Sequence, residues 1–232
     1  DLRTTKFRFH GCRALVQFSA QLCWMYGIIH LTLSDLTAIE FTVPVFTAVL
    51  AVMFLGETMW RHKWIATLLG FVGVLIILQP EGSAFSVAGF VMLLGSALYA
   101  GSGIFVKYLT RTDTPQGIIF YMNAMQLPLG LIPAVFIFGW VTPAPIDIPW
   151  ILAWGLSGLF AHYTMARALK LADITIIFPL DFLRLPLMAL LGYLLYAEAI
   201  NPWTAVGGIV IFAANYYGVR EEARRGDAPQ RH

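Results

Sequence analysis

The sequence predicts an all-α membrane protein, a polytopic bundle of transmembrane helices built from two repeats of inverted topology. Hydrophobic residues make up 59% and charged residues 12% of its 232 residues, whereas about a quarter of a soluble domain is charged. Long apolar runs alternate with short loops rich in Pro, Gly, Asp and Asn. Lys and Arg are concentrated in every second loop, as expected for a chain that threads a membrane repeatedly.

Eight apolar segments are candidates for membrane spans. A bilayer core about 30 Å thick needs about 20 helical residues to cross it. The predicted spans are residues 14–33, 36–55, 64–79, 87–106, 116–140, 148–166, 174–197 and 200–219. The third is the shortest, and we expect its helix to begin near Arg61.

Polar or helix-breaking residues bound each of the first four spans. Asp35 separates the first span from the second, and Glu57 follows the end of the second. The turn at 79–83, which reads Gln-Pro-Glu-Gly-Ser, ends the third span, and Lys107 and Arg111 follow the fourth. Such residues interrupt helices and tolerate water.

The last four spans are bounded in the same way. The segment 142–147, which contains two prolines, separates the fifth span from the sixth. Arg167 and Lys170 follow the sixth, Glu198 follows the seventh, and Trp203 opens the eighth. None of the connecting loops is long enough to form a separate domain.

The loop charges also predict the orientation of the chain. The leading segment, every second loop after it and the tail carry all Lys and Arg except Arg184, which lies inside the seventh span. Because Lys and Arg are retained on the cytoplasmic side, we expect both termini of this chain to be cytoplasmic. The net charge of +2 is explained by this loop bias and does not indicate a nucleic-acid partner.

Two stretches of the chain repeat each other. Residues 33–37 (Leu-Ser-Asp-Leu-Thr) precede a span that contains Pro44 and ends at Glu57. Residues 171–175 (Leu-Ala-Asp-Ile-Thr) precede a span that contains Pro179 and ends near Glu198. A Gly-containing helix follows each copy. Because the first copy starts outside and the second inside, the repeats have opposite topology, as in many secondary transporters.

This order of residues resembles the EamA-type permeases of the drug/metabolite transporter superfamily. The similarity covers nearly the whole chain, and the repeat boundaries are placed at 1–81 and 82–232, the second including a cytoplasmic tail. Members of the family usually have ten spans, so the first repeat resembles one that lacks its two opening helices. The absence of an initiator Met favours a fragment over a natural short form. The resemblance implies a bacterial inner membrane location and export of metabolites, amino acids or drugs.

Three charged residues lie within predicted spans and are candidates for substrate binding. Asp181 and Arg184 lie three residues apart on one helix face, where they can pair, and Glu40 lies near the outer end of the second span. A charge inside a bilayer is costly and needs a partner or water. One interpretation is an ion pair that locks helices together. The interpretation we favour is that Arg184 receives an anionic group of the solute, while Asp181 and Glu40 tune it or meet a cation.

Uncharged polar residues form stripes at helical spacing, and we expect them to face the bundle interior. These stripes are Gln17, Gln21 and Trp24; Ser96, Tyr99 and Gly103; and Gln116, Asn123 and Gln126. Each residue could equally hydrogen bond between helices without touching a ligand. The predicted substrate-binding residues are Gln17, Gln21, Trp24, Glu40, Tyr99, Asn123, Gln126, Asp181 and Arg184.

Small residues and prolines have structural interpretations. Gly70-x-x-Gly73, Gly155-x-x-Gly158 and Gly207-Gly208 predict close helix packing. The prolines within the spans predict kinks, which could be static or could act as hinges. These prolines are Pro44, Pro128, Pro133, Pro179 and Pro186.

The residues and the resemblance together predict a secondary transporter that moves a small organic solute across the bacterial inner membrane. No nucleophile set, metal motif or phosphate loop is found in the sequence, so we expect no enzyme activity, metal or cofactor. The expected partners are a small-molecule substrate and membrane lipid, not nucleic acid, and a homodimer is left open. The alternatives are a structural or signalling bundle with a dry interior and, with less support, an intramembrane enzyme.

Overall fold

The computed structural model describes residues 4–79, 86–136, 142–196 and 202–226, and all regular secondary structure among them is helical. The α-helices are α1 (Phe7–His30), α2 (Leu33–Glu40), α3 (Val43–Leu50), α4 (Arg61–Leu78), α5 (Val87–Leu109), α6 (Pro115–Phe136), α7 (Ile148–Leu171), α8 (Ile174–Ile177), α9 (Arg184–Tyr196) and α10 (Pro202–Gly226). A π-helical turn (Ala51–Leu55) follows α3, and a 3₁₀ segment (Phe178–Leu183) joins α8 to α9. This confirms the predicted all-α fold class.

In the part of the chain that the structure describes, each predicted span falls largely within one helix or one interrupted helix. Within the described residues, five helical stretches are long and apolar enough to cross a membrane. These are Asp35–Leu55, Arg61–Leu78, Val87–Leu109, Pro115–Phe136 and Ile174–Leu191. α1, α7 and α10 are long enough to span a membrane but are not among these five. The prediction of eight spans therefore stays a prediction for these three helices. α4 begins at Arg61, as expected. Glu198 and the predicted turn at 80–83 lie outside the described residues.

The chain forms two compact units. The smaller unit contains the described residues of Asp1–Phe18 and Phe105–Ala172, and the larger contains those of Ser19–Ile104 and Asp173–His232. These units are defined by packing, whereas the boundary predicted at residue 81 is defined by internal repetition, so the repeat boundary stays a prediction.

Two glycines allow α4 and α10 of the larger unit to approach closely. A Cβ added to Gly207 would lie 2.6 Å from the Gly73 carbonyl oxygen, and one added to Gly73 would lie 2.9 Å from the Gly207 carbonyl oxygen. Nothing lies within 4 Å of a Cβ added to Gly155 or Gly158. The packing prediction therefore holds for Gly73 and Gly207, while among the described residues Gly155 and Gly158 meet no neighbour.

Prolines account for the two interrupted helices. Pro44 has no N–H to donate to the Glu40 carbonyl, and α2 ends at Glu40 while α3 begins at Val43. Pro179 and Pro186 remove two further helical hydrogen bonds, and the chain changes to 3₁₀ geometry between Phe178 and Leu183. By contrast, α6 continues through both Pro128 and Pro133. Only the prolines in the repeated motif coincide with a break.

A buried apolar cluster holds the two interruptions together. Phe41, Val74, Phe182 and Ile211 form this cluster, and each is almost fully buried. The Phe41 and Phe182 ring centroids lie 5.8 Å apart with the planes tilted by 43°. Since Phe41 follows Glu40 and Phe182 follows Asp181, packing of the phenyl rings brings the two carboxylates to neighbouring positions.

Lys63 is a buried cation, although it belongs to one of the basic segments that bound the predicted spans. It lies in the first turn of α4 with 3% of its surface exposed. Its ammonium group contacts the Asp173 carboxylate at 3.1 Å and the Glu222 carboxylate at 3.4 Å. His62 also contacts Glu222, at 2.7 Å. Tertiary contacts with α10 and with the residue preceding α8 thus compensate the buried charge.

Glu57 links the end of the first interrupted span to the beginning of the second. Its carboxylate accepts hydrogen bonds from the Ile174 N–H at 3.1 Å, the Thr175 N–H at 3.3 Å and the Thr175 hydroxyl at 2.8 Å. Backbone N–H groups at the start of a helix have no intrahelical acceptor. Glu57 therefore satisfies donors that the local sequence of α8 leaves unpaired.

We expect the substitution Glu57→Ala to lower the free energy of unfolding by about 1–2 kcal/mol, because helix caps and buried donors contribute on this scale. The measurement is thermal unfolding of the purified chain in detergent. Glu57→Gln, which keeps one acceptor oxygen, should lose less. Glu221→Ala, which removes only an exposed contact to Arg224, is the matched control, and equal melting temperatures for both alanine variants would contradict the capping role.

The smaller unit is organised around the turn between α5 and α6. Asp113 in this turn accepts a hydrogen bond from the Thr4 hydroxyl at 2.7 Å, and the same carboxylate oxygen lies 2.7 Å from His10 Nε2. Burial by itself raises the pKa of Asp113, but hydrogen bonds from Thr4, His10 and Thr112, together with the charge of His10, lower it below its usual value. Lys107 donates to the Leu169 and Ala172 carbonyls, which secures the end of α7.

The lowered pKa of Asp113 predicts an acid-dependent loss of stability. Since the folded-state pKa lies below the unfolded one, Asp113 adds stability that is complete above the ordinary Asp pKa of about 4 and is lost as the pH falls through the lowered value. We therefore expect Asp113→Asn to melt below the wild type at pH 7, and this difference should shrink progressively as the pH is lowered below about 4. Asp147→Asn, at an exposed loop position, should show no such difference. A difference between Asp113→Asn and wild type that is constant with pH would disprove the linkage.

Candidate functional site

Glu40 lies at the interruption between α2 and α3, and two side chains hold its carboxylate. Arg184 donates to Oε1 at 2.8 Å, and the indole N–H of Trp24 donates to Oε2 at 3.2 Å. Because of the break, Glu40 is the last residue of α2 and does not lie inside a continuous helix. There it contacts Arg184, which lies 144 positions away in the sequence. Glu40 is therefore part of a tertiary ion pair.

Arg184 occupies the corresponding interruption of the second broken span. It is the first residue of α9, directly after the 3₁₀ segment. Its guanidinium group lies 3.7 Å from the Asp181 carboxylate, so the predicted pairing within the helix is confirmed. The contact to Glu40 is 0.9 Å shorter (3.7 against 2.8 Å), so the stronger partner comes from a distant part of the sequence.

Aromatic residues border these charges. The Arg184 guanidinium carbon lies 4.9 Å from the centroid of the Phe41 ring, within the range of cation–π attraction. Trp24 contacts Glu40 directly, and Tyr99 of α5 belongs to the same unit. The site thus combines two carboxylates, one guanidinium group and the aromatic side chains of Phe41 and Trp24, all in the larger unit.

The charged side chains of the site remain partly accessible. The exposed fraction of the side chain is 46% for Arg184, 45% for Asp181 and 26% for Glu40. A purely structural ion pair inside a helix bundle is usually enclosed, because apolar surroundings exclude water. Protein atoms therefore do not fully enclose these charged groups.

The nine residues predicted to bind substrate are divided between the two units. Contacts join Trp24, Glu40, Arg184 and Asp181 in the larger unit. Tyr99 and the half-buried Gln21 belong to the same unit. The other three belong to the smaller unit and are Gln17, Asn123 and Gln126. Gln17 is buried, as expected. The expectation that the third stripe faces the interior is wrong for Gln116 and Asn123, which are exposed, and the Asn123 amide donates to the Ile119 carbonyl of its own helix at 2.9 Å.

Two features of the site were not predicted from the sequence. Phe41 was not singled out, although it lies next to Glu40 and stacks beneath Arg184. The contact between Ser96 and the Ile39 carbonyl, 3.0 Å long, also stabilises the interruption before Phe41. The adjacency of Phe41 and Glu40 at a proline-induced break was the available signal. Among the described residues no group of three or more His, Cys, Asp or Glu side chains is arranged to hold a metal ion.

Comparison with known sequences places almost the whole chain in one family. The model of the EamA-like transporter family matches residues 2–79 and 87–217. The riboflavin transporter of Brucella anthropi is 30% identical over 230 residues, which cover 96% of this chain and 80% of that protein. The S-adenosylmethionine uptake transporter of Rickettsia bellii is 27% identical over 223 residues, or 96% of this chain and 76% of that protein.

Two further comparisons extend this result. The pseudopaline exporter of Pseudomonas aeruginosa is 28% identical over 196 residues, which cover 83% of this chain and 68% of that protein. One solved crystal structure superposes with a TM-score of 0.79 and covers 98% of this chain and 80% of its own chain, at 15% sequence identity. This last likeness concerns the fold alone.

Proposed function

Because this chain belongs to the EamA-like transporter family, we propose that it carries its small-molecule solute past the site formed by Glu40, Arg184 and Asp181. The chain is a multi-pass bacterial membrane protein and a secondary transporter of small metabolites. The single observation that carries the proposed site is the meeting of two interrupted spans at a partly accessible ion pair. Interrupted helices that bear charged groups are a recurrent design of solute sites in secondary transporters.

The side chains around the ion pair favour a metabolite that combines a flat ring with charged or polar groups. Trp24, Tyr99 and Phe41 offer aromatic faces, while Arg184 and the two carboxylates offer both signs of charge. Aromatic surfaces contribute apolar contact, and the charged groups orient the solute. Two of the relatives are named as transporters of riboflavin and of S-adenosylmethionine. Both compounds contain a flat nitrogen heterocycle. We propose a solute of this chemical class.

The interruptions also suggest how the site alternates between the two membrane faces. A helix broken at Pro44 or Pro179 lacks some backbone hydrogen bonds and bends there at lower cost than a continuous helix. We propose that the segments on either side of these breaks rock during transport. Opening would separate Glu40 from Arg184 or weaken their contact, so that solute binding and the ion pair compete.

The remaining assignments follow from the sequence. We propose an inner membrane location, both termini of this chain in the cytoplasm, two inverted repeats at 1–81 and 82–232, and transport without chemical conversion of the solute. A homodimer is compatible with this arrangement, and no nucleic-acid partner is needed. The predicted direction is export, and the relatives include proteins named for uptake and one named for export.

Counterflow in proteoliposomes tests the function. Vesicles that contain the purified chain and unlabelled riboflavin or S-adenosylmethionine should accumulate the labelled compound transiently, whereas protein-free vesicles should not. Opposite gradients in right-side-out and inside-out preparations then give the direction. A structural bundle, the alternative function, would give no counterflow with any solute and no ligand-induced rise in melting temperature, which a bound solute must produce by mass action.

A further inference from the structure

The charges of the site do not balance. Glu40 and Asp181 contribute two carboxylates, and Arg184 contributes one guanidinium group, so the ionised cluster carries one net negative charge. Both carboxylate oxygens of Glu40 have a donor, one from Arg184 at 2.8 Å and one from Trp24 at 3.2 Å. Glu40 is therefore the better compensated of the two carboxylates.

Asp181 is the weakly compensated member of the cluster. Its nearest cation is Arg184 at 3.7 Å, which is too long for a strong hydrogen bond. The charged groups that act on it are Arg184 of its own span and Glu40 of the other interruption. Its side chain is 45% exposed, so an incoming group can reach it.

An uncompensated carboxylate within a membrane span has a strong preference for a positive partner. Transfer of charge into hydrocarbon is costly, and intramembrane acidic residues accordingly pair with cations or bind protons. Arg184 contacts both carboxylates, but its single positive charge balances only one of them, and the closer of the two is Glu40. The positive charge must come from outside the described cluster when the site closes around a solute.

We propose that this site takes up one net positive charge together with its solute, and that Asp181 receives it. The inference rests on the proposed transport function and specifies the chemistry of its substrate. A solute with a net positive charge supplies the charge itself, whereas a neutral solute binds together with one proton. Two aromatic residues belong to the same cluster, Trp24 through its hydrogen bond to Glu40 and Phe41 through its contact with Arg184. Aromatic side chains favour a cation that is poorly hydrated, such as a sulfonium or alkylammonium group.

A matched pair of nucleosides tests this proposal. S-Adenosylmethionine and S-adenosylhomocysteine differ by one methyl group and by the formal positive charge on sulfur. Binding to the purified full chain at pH 7.5 is measured by calorimetry in two buffers with different ionisation enthalpies, which gives the affinity and the number of protons taken up. We expect S-adenosylmethionine to bind without proton uptake. S-Adenosylhomocysteine should bind either about tenfold more weakly or with uptake of one proton.

Variants at Asp181 assign the charge preference to this residue. In Asp181→Asn, the affinity difference should shrink to about twofold or less and the proton uptake should vanish. Asp181→Glu, which keeps the carboxylate, should retain both. Asp147→Asn, an exposed loop carboxylate, is the matched control and should behave as the wild type. Thermal unfolding of each variant checks that it is folded.

Each contrary result has a separate meaning. Equal affinities without proton uptake, or an unchanged preference in Asp181→Asn, would overturn the charge requirement while leaving the transport function intact. Failure of both nucleosides and of riboflavin to bind the wild type would overturn the proposed substrate class and this inference with it. Counterflow of riboflavin without proton movement and without sensitivity to Asp181→Asn would likewise overturn the inference alone.

Discussion

Replacement of Arg184 by alanine is expected to reduce the transport rate about tenfold or more. Without the guanidinium group, Glu40 loses its 2.8 Å partner and faces Asp181 without a cation between them. Arg184 is also the proposed partner of an anionic group of the solute, and a hydrogen bond between charged groups contributes about 1.5–3 kcal/mol, of which the 46% exposure of Arg184 leaves about 1–2 kcal/mol. Since about 1.4 kcal/mol corresponds to a factor of ten, the loss should be obvious in proteoliposome flux.

Two further variants separate charge from geometry in this prediction. Arg184→Lys keeps the positive charge but not the planar donor group, so its flux should lie between those of the wild type and the alanine variant. Arg184→Ala combined with Glu40→Gln should recover part of the loss, because one of the two unpaired carboxylates is removed. Arg224→Ala removes an Arg that is paired with Glu221 at an exposed site and should leave transport unchanged.

An unchanged rate and an unchanged selectivity in Arg184→Ala would remove Arg184 from the solute site. If the variant instead fails to accumulate as a folded protein, the conservative lysine variant decides the question. A folded Arg184→Lys with wild-type rate and wild-type solute preference would also contradict the proposed role.

Substitution of Gly207 by alanine should destabilise the protein although it adds only one methyl group. In an exposed helix, Gly to Ala stabilises by about 1 kcal/mol. At Gly207 the new Cβ would lie 2.6 Å from the backbone carbonyl oxygen of Gly73, which has no side-chain freedom with which to move away. Overpacking costs about 1–3 kcal/mol, and because α4 and α10 must separate we expect the upper part of this range.

Gly155 provides the matched control for Gly207. Both lie inside long helices, but nothing lies within 4 Å of a Cβ added to Gly155. Thermal unfolding in detergent should therefore give a lower melting temperature for Gly207→Ala and an equal or higher one for Gly155→Ala. If both variants are stabilised, the close approach of α4 and α10 does not limit the stability of the fold.

Local sequence was enough to predict the membrane character, the helices and the proline breaks. Burial of apolar residues in lipid and the steric effect of proline act over a few residues and leave a periodic signal. The same locality explains why the contact between Asp181 and Arg184 was predicted, since residues three apart on one helix are neighbours. The start of α4 at Arg61 follows from the same kind of reasoning.

Contacts between segments that are distant in the sequence could not be predicted from local sequence patterns. No local pattern indicates that Glu40 is the nearest partner of Arg184, that Lys63 is buried against Asp173 and Glu222, or that Glu57 caps α8. Gly73 and Gly155 lie in similar sequence patterns, yet only the first touches a neighbouring helix.

The sequence by itself therefore determined that this protein is a polytopic bundle of apolar helices and, through its resemblance to one family, that it is a transporter. It also placed three charged residues inside the predicted spans. The tertiary structure alone decided which of those charges meet. The reason is that hydropathy and proline sterics are properties of single segments, whereas an ion pair across 144 residues depends on how Phe41 and Phe182 pack the two broken spans together.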